Sequence, residues 1–157
     1  MTKIDALAAR GQEVVMNTYS RFPIAFDHGK GCRVWDMDGK EYIDFVAGIA
    51  VNSLGHDHPA LTAKIAEQAQ KLIHVSNLYY TEPQITLAEE ICAHSCFDKV
   101  FFCNSGAESI EAALKICRKY AAKHGKPGRD IITMEHSFHG RTYGAVTATG
   151  QEKYHKG

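Results

Sequence analysis

No apolar run in this sequence approaches the roughly 20 residues that span a bilayer, and neither sign of charge is in excess. Its 18 Lys and Arg stand against 18 Asp and Glu, a balance that gives no support for binding nucleic acid or an anionic membrane. The N-terminal MTKIDALAARGQEVV is mixed and amphipathic and lacks the apolar centre of a signal peptide. Five cysteines, Cys32, Cys92, Cys96, Cys103 and Cys117, are odd in number and without framework spacing. They read as reduced thiols of a cytoplasmic protein. Repeats, low-complexity tracts and disordered linkers are also missing. So are the G-x-x-x-x-G-K-[ST] of nucleotide-binding loops and the G-x-G-x-x-G of dinucleotide folds.

What is present is an ordinary globular composition, 45% hydrophobic and 23% charged over 157 residues, enough for one sizeable core. Residues 4–17 have a helical spacing of apolar side chains (Ile4, Leu7, Ala8, Val14, Val15), weakened by Gly11. RVWDMDGKEYIDFV predicts a β-hairpin, with Val34 and Trp35 before the turn Asp38-Gly39 and Tyr42, Ile43, Phe45 and Val46 after it. VAGIAVNSLGHDHP predicts a buried, glycine-interrupted loop. Pro59 opens a helix to about Ile73, with Leu61, Ile65, Ala69 and Leu72 inward. HVSNLYY reads as loop. Thr81-Glu82-Pro83-Gln84 matches a capping box for a helix through Ile85, Leu87, Ala88, Ile91 and Cys92.

From Asp98 the pattern becomes strand, helix, strand: DKVFFC, then Ser105 to about Lys123, a KPG turn, then DIITME. Such an order predicts a parallel pair with a right-handed crossover, the unit of an α/β sheet. Ligands of such sheets sit at the carboxyl ends of the strands, where Cys103-Asn104-Ser105 and Glu135-His136-Ser137 fall.

Ser105-x-x-Glu108 is a capping box. Behind it Ile110, Ala113, Leu114, Cys117 and Ala121 form an apolar stripe expected to pin the helix to the sheet, with Glu111 and Lys115 spaced for an i,i+4 pair. The amides of Gly106 and Ala107 have no intrahelical acceptor, and neither residue has bulk to keep a ligand away. With the positive end of the helix dipole this describes a phosphate cradle. Most such boxes bind nothing, and the stretch alone is equally a well-capped helix. In the second loop, EHSFHGRTYGAVTATG, Phe138 offers a flat ring, Gly140 a tight turn, and Arg141 a planar fork for a carboxylate. The combination suits an aromatic phosphorylated cofactor and an amino-acid substrate. The alternative makes Phe138 a packing residue and Arg141 a solvated charge.

NSGAESIEAALK, followed by SFHGRT and ATGQEKYHKG, resembles the pyridoxal-phosphate-dependent aminotransferases of class III, nearest to those acting on N-acetylornithine. Upstream, MNTYSRFPIAFDHGKGCRVWDMDGKEYIDFVAGIAVNSLGHDHP and NLYYTEPQ fit in order and spacing, so nearly the whole chain is covered. The resemblance implies an α/β protein of the pyridoxal-phosphate-dependent transferase fold type I, a three-layer α/β/α large domain plus a small domain, here truncated. Residues 1–50 would belong to the small domain and 51–157 to the first part of the large one. It further implies that Gly106 and Ala107 bind the cofactor phosphate through their amides, with Ser105 adjacent, and that Phe138 stacks on the pyridine ring. Arg141 would hold the substrate α-carboxylate, Tyr19 would reach the same group, and Val51, Asn52 and Ser53 would line the substrate end. Residues near Asn77 would approach a neighbouring site across a homodimer interface.

One departure is Ser109-Ile110, where the family usually has Ala-Asn; altered packing is expected there, with phosphate binding kept. A larger one is that the Schiff-base lysine and the aspartate facing the pyridine nitrogen fall beyond residue 157. The chain is therefore expected to be the N-terminal part of such an enzyme and inactive alone. The implied reaction passes the amine of N-acetylornithine to the cofactor and then to 2-oxoglutarate. Ornithine, succinylornithine and 4-aminobutyrate are rival donors. Two readings from other classes are a metal protein using Cys92, His94 and Cys96, His56 and His58, or His136 and His139, and a non-catalytic interaction module.

Overall fold

The structure is a computed structural model that describes residues 2–126 and 130–156. It divides into two compact units, residues 1–79 and 80–157, each described by itself.

The first unit opens with helix α1, Lys3–Val14, whose N-terminus carries a reciprocal capping box: Thr2 Oγ1 accepts from Asp5 N and Asp5 accepts from Thr2 N. Three antiparallel strands follow in the order β1 (Phe26–Lys30), β2 (Arg33–Asp36), β3 (Glu41–Ile43). The β2–β3 hairpin pairs Val34 with Tyr42 and Trp35 with Glu41, as its Asp-Gly turn predicts. Asp36 tightens that turn. Only 4% exposed, its carboxylate accepts from the amides of Asp38 and Lys40 and from the Tyr42 hydroxyl at 2.8–3.0 Å.

Strand β1 is not visible in the sequence pattern. FDHGK alternates nothing apolar, and the segment becomes a strand because Gly31 and Cys32 turn it back onto β2, with His28 stacked on Trp35 at 4.9 Å. Conversely, Phe45 and Val46 lie beyond β3, in the loop.

The following segment, expected as a buried bend, is instead exposed at Val46, Ile49, Val51 and Leu54. Its short turn α2, Ala47–Ala50, is left-handed, with φ of 47°, 64°, 67° and 60° in order. Asp44 supports it by accepting from the amides of Val46 and Ala47 at 3.0 and 2.8 Å. His56 Nε2 lies 2.9 Å from the other oxygen of Asp44, and Asn52 Nδ2 lies 3.2 Å from His56 Nδ1. Helix α3, Pro59–Lys71, begins with Pro59 at N1 as expected, capped weakly by His58.

The second unit contains α4 (Glu82–Ala93), α5 (Gly106–Lys123), α6 (Tyr143–Ala148) and a 3-10 turn Glu152–Tyr154. Thr81 stands at the N-cap of α4, but its side chain makes no capping bond, so the capping box predicted there is not formed. The strands expected at DKVFFC and DIITME are not present: both segments lie outside any strand, and no ladder joins them among the described residues. Strand propensity is local, whereas a strand exists only where a second backbone supplies partners. The KPG turn falls at Pro127 and Gly128, outside the described residues.

The apolar stripes are not buried either. Leu61 and Ile65 of α3, Leu72 at its C-cap, and Ile85, Leu87 and Ile91 of α4 are exposed. On α5, Ile110, Leu114 and Ala121 are half-buried while Ala113 and Cys117 are exposed. An amphipathic face is written in the helix; its burial requires an apposed layer. Among the described residues no helix is long and apolar enough to cross a membrane.

Candidate functional site

The N-terminus of α5 forms as its residues dictate. Ser105 is extended, at φ −156° and ψ 160°, and its hydroxyl accepts from Glu108 N at 3.2 Å. Glu108 reaches one residue further back than in the usual box and accepts from the amide of Asn104 at 2.7 Å. The cap therefore fixes both sides of the turn and leaves the amides of Gly106 and Ala107 at positions with no intrahelical acceptor. A Cβ built on Gly106 would meet nothing within 4 Å. Packing inside the chain does not demand glycine there, and the space above the first turn is open for a ligand.

Against this turn lies the loop after Met134. Gly140, at φ 130°, comes so close that a Cβ on it would stand 2.8 Å from the Ala107 Cβ. The loop is held from behind by Thr149, 1% exposed, whose hydroxyl accepts from His139 N at 2.9 Å and contacts the carbonyls of Gly140 and Ala145 at 3.3 and 3.2 Å. Gly150 N donates to Ser137 Oγ at 3.1 Å, and Gln151 Nε2 donates to the Ser137 carbonyl at 3.1 Å.

The two parts enclose a cleft of about 710 Å³, lined on one side by Gly106, Ala107, Ser109 and Ile110 and on the other by residues Phe138 to Thr142. Phe138 is 51% exposed, and its ring meets that of Tyr154 edge-on at 5.8 Å. Arg141 Cζ lies 5.1 Å from the centroid of Phe138 and 5.6 Å from that of Tyr154. Such cation–π contacts contribute about 0.5–1 kcal/mol at exposed sites and steady the guanidinium plane.

Gly106, Ala107, Phe138 and Arg141, proposed from separate motifs, thus share one cleft, with Ser105 as the cap behind it. Tyr19 lies in the first unit, exposed between α1 and β1. Val51, Asn52, Ser53 and Asn77 also belong to that unit. Among the described residues no three His, Cys, Asp or Glu come together to hold a metal ion.

Sequence reasoning gave Glu111 only a supporting pair with Lys115 and missed its bonds to α6. Lys115 attracts its carboxylate only at a distance, as the least of the effects upon it. Instead Glu111 Oε1 accepts from Thr142 Oγ1 at 2.5 Å and from Ala145 N at 3.1 Å. The hydrogen bond from Thr142, then that from Ala145, outweigh desolvation and hold the carboxyl below its ordinary value. A signal existed in Gly144, a poor helix former inside a short helix: a Cβ there would run into the Glu111 carboxylate.

Comparison with known proteins gives three concordant findings. The aminotransferase class-III family matches residues 14–157. Among curated proteins, the acetylornithine aminotransferase of Caldanaerobacter subterraneus subsp. tengcongensis is 60% identical over 93% of this chain and 37% of its own length. That of Nostoc sp. is 59% identical over 90% of this chain and 34% of its own. Among solved structures, the ornithine aminotransferase of Toxoplasma gondii, in which pyridoxal phosphate partly occupies the active site, superposes with a TM-score of 0.90. It is 29% identical, over 98% of this chain and 37% of that one. The N-acetylornithine aminotransferase of Stenotrophomonas maltophilia gives 0.73 at 45% identity, over 84% and 35%. The chain therefore spans about a third of the length of these relatives.

Proposed function

The chain belongs to aminotransferase class III, and from that premise we propose that it contributes the cofactor-phosphate and carboxylate sites of an enzyme moving the side-chain amino group of N-acetylornithine to 2-oxoglutarate. Its α/β fold is that of the first part of a fold type I transferase. The carrier is pyridoxal phosphate, which when bound supplies an electron sink at the substrate carbon.

One observation carries this reading: the unsatisfied amides at the start of α5, the Phe138 ring and the Arg141 fork line a single cleft. Gly106 and Ala107 hold the phosphate with their amides, favoured by the helix dipole. Phe138 holds a flat ring and excludes water from one of its sides. Arg141 orients the carboxylate common to both substrates, which keeps the reacting atoms in register. Residues 1–50 are assigned to the small domain and 51–157 to the large domain of a cytoplasmic homodimer serving arginine biosynthesis.

N-acetylornithine is preferred over ornithine because relatives named for it are 60% and 59% identical, whereas the ornithine aminotransferase is similar at 29%. The test compares kcat/KM of the full-length enzyme on N-acetylornithine, ornithine, succinylornithine and 4-aminobutyrate. Greater efficiency on ornithine would transfer the assignment.

A further inference from the structure

Helix α6, Tyr143–Ala148, has six residues and no capping bond accepted by its N-cap residue Thr142. A helix so short is marginal by itself, although Val146 N closes its first turn on the Thr142 carbonyl at 2.7 Å. Its cap comes from another helix: Glu111, 31 and 34 positions earlier, accepts from the Thr142 hydroxyl and the Ala145 amide on one oxygen. A carboxylate suits this place because it is acceptor-only and can take converging donors. Gly144 leaves room for it. Arg141 immediately precedes this N-cap. On its other side Gly140 is fastened by the buried Thr149 hydroxyl. The backbone that carries the guanidinium is thus tied at both neighbours: on the α6 side the Thr142 carbonyl accepts from Val146 N at 2.7 Å, and the Thr142 side chain is tied by the Glu111 carboxylate.

We propose that Glu111 is a positioning residue that acts through the first turn of α6 to aim the Arg141 guanidinium at the carboxylates of both the amine donor and the oxo-acid acceptor. The inference rests on the reading of Arg141 as the carboxylate clamp. Glu111 contacts no substrate itself. Its removal frees the Thr142 hydroxyl and the Ala145 amide, leaves the first turn of α6 on its own helical bond from Val146 N to the Thr142 carbonyl and displaces the fork, while the phosphate amides of α5, capped separately by Ser105, stay in place.

In the full-length holoenzyme, Glu111→Ala is expected to raise KM for the amino-acid donor and for 2-oxoglutarate together by about tenfold or more, since misplacing a positioning group by about 1 Å costs up to about a hundredfold. Calorimetric titration with glutarate, an unreactive dicarboxylate, shows the same weakening. An acylated diamine of equal length without the carboxylate keeps its KM within about twofold, because only carboxylate binding is lost. In an Arg141→Lys background the substitution adds less than about twofold, as expected for a residue acting through Arg141. Glu111→Gln keeps one acceptor oxygen and gives an intermediate effect; it carries the test if the alanine variant does not fold.

Equal losses for the carboxylate-free amine, or full multiplication with Arg141→Lys, would reduce Glu111 to a general brace and overturn the inference. Normal glutarate affinity in both Glu111 variants would do the same, with the reading of Arg141 intact. Unchanged KM values in Arg141→Lys itself would overturn the clamp reading, and the inference with it.

Discussion

Gly140 and Ala107 meet backbone to side chain, so closely that any Cβ on Gly140 would stand 2.8 Å from the Ala107 Cβ and 3.0 Å from that of Ala145. This contact joins two segments more than thirty residues apart and sets the width of the cleft between them.

Gly140→Ala therefore combines a steric overlap with a backbone at φ 130°, a region L-residues rarely adopt. The expected cost is on the order of 2 kcal/mol or more. The measurement is the thermal midpoint of the full-length protein against the unsubstituted one. An unchanged midpoint would mean that the loop and α5 do not press together as described.

Gly106→Ala should behave in the opposite way. No atom of the chain lies near the added methyl, and alanine is the better helix former, so stability of the cofactor-free protein is kept or raised by up to about 1 kcal/mol. Affinity for pyridoxal phosphate should fall by about tenfold, since an intruding methyl costs about 1–3 kcal/mol in a fitted site. Absorbance titration gives the affinity. Full affinity in this variant would argue that the phosphate sits elsewhere.

Asp36 gives a pH dependence. Burial pushes its carboxyl up, but the Lys40 amide, the Tyr42 hydroxyl and the Asp38 amide together hold it below its ordinary value of 3.8. A group depressed by folding stabilises above its unfolded pKa and loses that contribution as pH falls through the folded one. The stability gap between the native protein and Asp36→Ala should be constant from neutral pH down to about 5 and narrow progressively as pH falls below about 4. Denaturant melts across that range measure it; a gap that does not narrow with acid contradicts the assignment.

Asp44→Ala removes the acceptor from the Val46 and Ala47 amides and the partner from His56. The left-handed turn it supports contains three residues other than glycine, each disfavoured by about 1–2 kcal/mol. Amide exchange at residues 46 to 50 should accelerate by about tenfold or more, while strand β2 keeps its protection. Equal rates in both proteins would show that the turn holds itself.

Expressed alone, residues 1–157 should self-associate. Side chains such as Ile132 at 95% exposed and Phe45 at 91% lie open to solvent, and large uncovered apolar surface drives association. Size-exclusion chromatography with light scattering checks this. A monodisperse monomer with a cooperative melt would oppose it.

The features legible in the sequence are those whose partners lie within a few residues. The Ser105 cap of α5, the Asp38-Gly39 turn and Pro59 at the first turn of α3 each close through contacts three or four positions apart, and all are present. The open start of α5 could be read for the same reason: it consists of amides left over by a local cap. Even so, locality did not guarantee success. Thr81 has the right neighbours for a capping box and does not make it.

Everything requiring a distant partner was decided by the tertiary structure. FDHGK became a strand because β2 lay beside it, while DKVFFC and DIITME, with far better strand composition, have no ladder among the described residues. Glu111 chose between two partners: Lys115, one helical turn away and solvated, and the donors of Thr142 and Ala145, which converge on it directly. An exposed i,i+4 ion pair contributes a few tenths of a kcal/mol, less than a charge-assisted hydrogen bond. The sequence determined which groups could bind a phosphate, a flat ring and a carboxylate. Only the approach of the Gly140 loop to Ala107 placed those groups around one cleft, because no local rule specifies contacts between segments so far apart along the chain.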